Sequence, residues 1–97
     1  MGIAIVGGLD RLKRAYEKAG ADMGFDVKFY SQRVPNMSQR ISGVDGIVIF
    51  TGTVAHQMVA EATRVAKQCR IPIGRSHSSG VGSLQRCLLA LALPKSA

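Results

Sequence analysis

Cysteine is scarce. Cys69 and Cys87 are the only two in 97 residues. They share no CxxC spacing and no cluster of metal-ligating neighbours, so neither a zinc-finger framework nor a thioredoxin-type redox pair is written here. Each falls inside an apolar helical pattern and reads as a reduced core thiol of a cytoplasmic protein. No apolar run approaches the ~18 residues of a membrane span. No charged segment followed by a long apolar stretch opens the chain, so no signal peptide is expected. Acidic residues are few, six against thirteen Lys and Arg, giving a net charge of +7. That balance favours anionic partners. The basic residues are spread without a run, so a nucleic-acid tail is not indicated.

Sets of catalytic groups are also missing. No cysteine closes the first strand, which argues against a small phosphatase or a phosphocysteine carrier. No acidic cluster stands at the strand ends to hold Mg²⁺, as a phosphoacceptor receiver domain requires. Asp10 and Asp45 are far apart, and each has a cap or turn explanation. Serine is plentiful, but no base and orienting partner accompany it. A binding protein is therefore expected rather than an enzyme.

What is present is a compact pattern. The composition, 46% hydrophobic and 20% charged, is that of a globular chain. The length fits one domain, residues 1–97. So short a chain buries only roughly 60–70% of its surface on folding, so self-association is expected. Ile3 to Val6 form an apolar run that stops at Gly7-Gly8, the pattern of a strand buried on both faces. Asp10 is a plausible N-cap for a helix whose stripe is Leu12, Ala15, Tyr16, Ala19 and Met23. Gly20 or Gly24 ends it. Phe25, Val27 and Phe29 alternate with Asp26, Lys28 and Tyr30, which suits a half-exposed edge strand. Pro35 and Asn36 mark a turn, and Met37 to Ile41 suit a short helix. Gly46 to Phe50 is the second fully apolar strand.

After Thr51-Gly52-Thr53 a helix runs to about Cys69, with Met58, Val59, Ala62, Val65, Ala66 and Cys69 as its stripe and Thr53 as its plausible cap. Ile71-Pro72-Ile73 reads as a fourth strand, and its proline places it at an edge. Ser83 is a plausible cap for a last helix striped by Leu84, Cys87, Leu88 and Leu91. Leu89 and Leu93 widen that stripe, which makes this helix the first candidate for a homodimer contact.

The order β-α-β-α-β-α-β-α with right-handed crossovers gives an α/β fold: a small three-layer, Rossmann-like or flavodoxin-like half with a four-stranded parallel sheet in the order 2-1-3-4. Ligands of such sheets bind at the switch point, here between the first and third strands. Three small-residue loops lie on that edge: Gly7-Gly8, Thr51-Gly52-Thr53 and Ser76 to Gly80. Gly7-Gly8 lacks the further glycines of a dinucleotide fingerprint, and no acidic residue ends the second strand to hold a ribose. The pair suits an anion at a helix start or simply a tight turn. Ser78, Ser79 and Gly80 suit an anion cradle or a flexible loop. Arg75 suits a carboxylate or phosphate.

His56 lies in the first turn of a predicted helix, at the positive end of its dipole. Metals bind the neutral imidazole, but a histidine hydrogen-bonded at a helix start fits the pattern equally. His77 lies on the same predicted edge and fits a solvated loop as well as a ligand.

The segments IVGGLDRL, VDGIVIFTGTVAH and IPIGRSHSSGVGSLQRCL, in this order and spacing, resemble the bacterial family catalogued as domain of unknown function 2325. The likeness spans nearly the whole chain. Two departures stand out. Thr53-Val54-Ala55 precedes His56 where the family carries a serine, and His77 is not a feature of every member. The resemblance implies a small dimer that binds haem and, through it, binds or senses oxygen. On that implication His56 is the preferred axial ligand of the iron and His77 a second candidate, either within one chain or across a two-fold axis. Val54, Met58, Met37 and Phe50 would supply an apolar haem pocket. The alternative is a metal-free anion- or nucleotide-binding regulatory module that uses Gly7, Gly8, Thr51, Gly52, Thr53, Arg75, Ser78, Ser79 and Gly80.

Overall fold

In the computed structural model, which describes residues 1–92, the two apolar runs form the middle of a parallel sheet. The strands are β1 (Gly2–Val6), β2 (Asp26–Tyr30), β3 (Gly46–Phe50) and β4 (Ile73–Ser76). The order is β2-β1-β3-β4, and every neighbouring pair is parallel. The helices are α1 (Lys13–Asp22), α2 (Met37–Ile41), α3 (His56–Cys69) and α4 (Val81–Ala92).

Alternation along β1 and β3 divides the interior into two layers. Ala4, Val6, Ile47 and Ile49 face α2 and α3, where Met37, Ile41, Met58, Ala62, Val65 and Ala66 pack on them. Ile3, Ile5, Val48 and Phe50 face the other way, against Tyr16 and Ala19 of α1 and Leu84 and Leu88 of α4. The central strands are thus covered on both faces, which is why they read as unbroken apolar runs. β2 lies at an edge, with Asp26 and Lys28 exposed.

Several local expectations are corrected. Asp10 caps nothing: it begins a single 3-10 turn, Asp10–Leu12, and α1 starts only at Lys13. That helix runs through Gly20 and stops at Asp22, and Gly24 makes the following turn at φ 83°. Thr53 does not cap α3, because the chain makes a 3-10 turn over Thr51–Thr53 and an extended step through Val54 and Ala55 first. Ser83 lies inside α4, not ahead of it. The fourth strand is displaced toward the C-terminus. Pro72 has no amide to give and contributes only its carbonyl, which accepts from Ile47 N–H at 3.0 Å, so the ladder continues through Gly74, Arg75 and Ser76. Its edge position stands.

Cys69 is exposed, not a core thiol. It is the last residue of α3; Arg70 then turns in the left-handed region at φ 56°, and Ile71 fills the end of the core in its place. Cys87 is half-buried between α4 and β4, and burial raises its pKa while Arg86 acts in the opposite direction. Cys69 is therefore expected to react with an aromatic disulfide reagent roughly tenfold or more faster than Cys87 at neutral pH. Equal rates in a stopped-flow labelling experiment would contradict this burial.

On α4, Leu84 and Leu88 are fully buried while Leu89 is 56% exposed. Leu93 lies outside the described residues. Among the described residues no helix is long and apolar enough to cross a membrane.

Candidate functional site

The carboxyl ends of β1, β3 and β4 bring the three small-residue loops together. Gly7 and Gly8 both take positive φ, 88° and 102°, which reverses the chain over the sheet edge. Neither has space for a side chain. A Cβ on Gly7 would lie 2.7 Å from Val54 Cβ and 3.0 Å from the Phe50 carbonyl oxygen. A Cβ on Gly8 would meet the rings of Phe50, Tyr16 and Phe29 at 3.1–3.2 Å. These rings form one cluster, with centroids 5.4 Å apart for Tyr16 and Phe50 and 5.5 Å for Tyr16 and Phe29.

The amides of this loop are already engaged. Gly7 N–H donates to the Tyr30 carbonyl at 2.8 Å. Gly8 N–H donates to Thr53 Oγ1 at 2.9 Å, and Thr53 Oγ1 shares a hydrogen with Ser79 Oγ at 2.6 Å. Leu9 N–H donates to Tyr16 Oη at 3.2 Å, and Tyr16 Oη donates to the buried Ser79 carbonyl at 2.6 Å. Two parallel hydrogen-bond chains therefore tie the β1, β3 and β4 loops together at the switch point. The tight-turn reading of Gly7-Gly8 accounts for both glycines without a ligand.

Tyr16 is the member of this network that sequence reasoning missed. It was legible only as one position of an apolar stripe. The available signal was the hydroxyl itself, because a tyrosine at a core position needs a partner for its O–H.

The remaining predicted residues lie on the same edge with different surroundings. Thr51 is exposed, and its hydroxyl makes a long 3.5 Å contact to the Ser76 carbonyl. Gly52 lies against His77, whose ring would be 3.3 Å from an added Cβ. Ser78 is exposed and hydrogen-bonds within its own loop: its Oγ accepts from Gly80 N–H at 3.4 Å, and its carbonyl accepts from Ser76 Oγ at 2.9 Å. The Gly80 carbonyl accepts from Leu84 N–H at 3.1 Å and so belongs to the start of α4. Arg75 reaches Thr63 of α3 at 3.4 Å. His56 lies in the first turn of α3, as expected, and with Ala55 rather than Thr53 ahead of the helix it is the first residue; it is exposed, and so is His77. Neither imidazole hydrogen-bonds to another described residue.

Among the described residues, the side chains expected to line an apolar pocket beside them do not form one. Met37, Phe50 and Met58 are closed into the two core layers at 1%, 0% and 2% exposure, and Val54 packs on the layer beneath α3. Among the described residues no three or more His, Cys, Asp or Glu side chains gather where they could hold a metal ion.

The family model described as an uncharacterized protein conserved in bacteria (DUF2325) matches residues 2–91. The chain belongs to this family. No curated protein and no solved structure matches it. The match covers all four strands and all three edge loops, so the DUF2325 domain and the sheet described above are the same unit.

Proposed function

We propose that this DUF2325 chain is a ligand-binding protein that holds haem at the carboxyl edge of its sheet, between two copies of itself, and thereby binds or senses oxygen. The observation that carries the reading is the pair of exposed imidazoles, His56 at the start of α3 and His77 on the loop packed against Gly52. The hydroxyls and amides of the switch point are committed to one another, which leaves these two rings as accessible ligating groups on that edge. His56 is the preferred axial ligand. Haem would supply a redox-active iron, and the chain the imidazole that holds it.

The donors fit a haem iron, but the apolar walls of a single chain do not. The side chains that would have lined a haem slot are buried in the two core layers. A second protomer is therefore part of the proposal, and exposed Leu89 on α4 is its suggested apolar contact. The alternative, a metal-free anion or nucleotide module, loses Gly7 and Gly8 as free donors and rests on Thr51, Arg75, Ser78 and the first-turn amides of α3 and α4.

Titrating the purified chain with hemin tests the proposal. A saturable Soret band distinct from free hemin is expected, with half a haem or one haem per chain and a dimeric mass. His56→Ala is expected to weaken binding by about tenfold or more. A spectrum indistinguishable from free hemin would overturn the haem reading and turn attention to nucleotides and phosphates. Unchanged affinity and spectrum in His56→Ala would overturn the ligand assignment.

A further inference from the structure

A second polar constellation lies on the outward face of α3, beginning one residue after His56. Gln57, Ala60, Glu61 and Arg64 follow one another at helical spacing and, with Arg33 from the loop after β2, line an open cleft of about 560 Å³. Glu61 is its centre. Its side chain is only 13% exposed, whereas Arg33 and Arg64 are 62% and 60% exposed. Oε2 accepts from Ser38 Oγ at 2.8 Å and lies 3.9 Å from Arg64 Nη2, which also donates to Ser38 Oγ at 3.3 Å. Oε1 lies 3.4 Å from Arg33 Nε but accepts no hydrogen bond from any described residue, although it is shielded from solvent.

A carboxylate oxygen in that condition is costly, because it has lost water and gains in return only the ion pair with Arg33 Nε, without a hydrogen bond. A tie between the loop and α3 needs Oε2, Ser38 and one arginine; it does not need an orphaned Oε1 beside a cleft. The two guanidiniums have the complementary property. Each carries five N–H donors, and the terminal nitrogens of Arg33 hydrogen-bond to no described residue. The cleft thus offers planar cationic donors for an oxyanion, and next to them a buried acceptor that lacks a hydrogen.

We infer that this cleft binds a small oxyanion bearing a neighbouring hydroxyl or ammonium group. Arg33 and Arg64 hold its carboxylate or phosphate; Arg33 swings from Glu61 onto that group, and Oε1, shielded while Arg33 lies beside it, then accepts the hydrogen. The site is separate from the haem reading and uses neither histidine.

The experiment is an NMR titration of the isotopically labelled full chain, free of hemin and at low ionic strength. L-lactate and L-alanine are compared with propionate, and glycerol 3-phosphate with methyl phosphate. Saturable shifts are expected at the amides of Gln57 to Arg64 and at Arg33. The donor-bearing member of a pair is expected to bind about tenfold or more tighter than its donorless counterpart. The pair that shows this preference identifies the oxyanion as carboxylate or phosphate. Arg33→Ala and Arg64→Ala should each weaken binding severalfold or more, and Glu61→Gln should abolish the preference. Arg33 is on the surface, so its variant remains informative if Glu61→Gln fails to fold. No saturable shift with any probe, shifts that bypass α3, or a preference unchanged in Glu61→Gln would each overturn the assignment.

Discussion

Gly7→Ala is expected to destabilise the protein by about 2–5 kcal/mol and to lower its melting temperature by at least about 10 °C. Two costs combine. A non-glycine residue at φ 88° loses about 1–2 kcal/mol to the clash of Cβ with its own backbone. The new methyl would also stand 2.7 Å from Val54 Cβ and 3.0 Å from the Phe50 carbonyl oxygen, and displacing them costs about 1–3 kcal/mol more. Phe50 ends the central strand and cannot move without disturbing the aromatic cluster, so relaxation is restricted. Thermal unfolding followed by circular dichroism measures the effect. A shift under about 2 °C would mean that the loop relaxes freely and that the Gly7 turn is not structurally required.

Replacing Tyr16 separates two contributions at one position. Tyr16→Phe keeps the ring against Phe29 and Phe50 but removes the hydroxyl that accepts from Leu9 N–H and donates to the Ser79 carbonyl. Leaving those groups unpaired is expected to cost about 1–3 kcal/mol. Tyr16→Ala also empties the space of a side chain at 0% exposure, which raises the expected loss to about 4 kcal/mol or more. The difference between the two variants, about 1–3 kcal/mol or more, is the share of the ring. Ring and hydroxyl differ in role, because the ring cements the α1 and α4 layer while the hydroxyl joins the β1 and β4 loops. Urea unfolding of both variants gives the two values. Hydrogen exchange at Leu9 should accelerate in Tyr16→Phe more than at the core amides. A neutral Tyr16→Phe would show that water replaces the hydroxyl and that the loops are not held through it.

Much of the fold was legible because burial on both faces leaves a simple signature. Ile3 to Val6 and Gly46 to Phe50 carry no polar residue, and an α/β chain places such strands at the centre of its sheet. The Asp26–Tyr30 alternation likewise reported an edge. The errors cluster where a side chain's partner is distant in sequence. Thr53 and Ser83 had the chemistry of helix caps, yet Thr53 is claimed by Gly8 across 45 positions. Ser76 belongs to β4 although no apolar pattern marks it, because its partner is Phe50 of the central strand. Cys69 has helical spacing with the core, but the helix ends at that residue and Ile71 takes the place it would have filled.

The same division holds for function. The sequence by itself determined that three small-residue loops and His56 share the carboxyl edge of a parallel sheet, because strand order follows from apolarity and from the handedness of the crossovers. It also carried the segments that mark the DUF2325 family. Only the tertiary structure decided which polar groups on that edge are engaged. Hydrogen bonding saturates: once Gly8, Thr53 and Ser79 pair with one another, and Leu9 N–H donates to Tyr16 Oη while Tyr16 Oη donates to the Ser79 carbonyl, a cradle of donors becomes a closed joint. Only the tertiary structure, too, set Arg33 beside Glu61 and Arg64. Their 28- and 31-residue separations leave no periodic trace, and the packing of the β2–α2 loop on α3 brings them to one cleft.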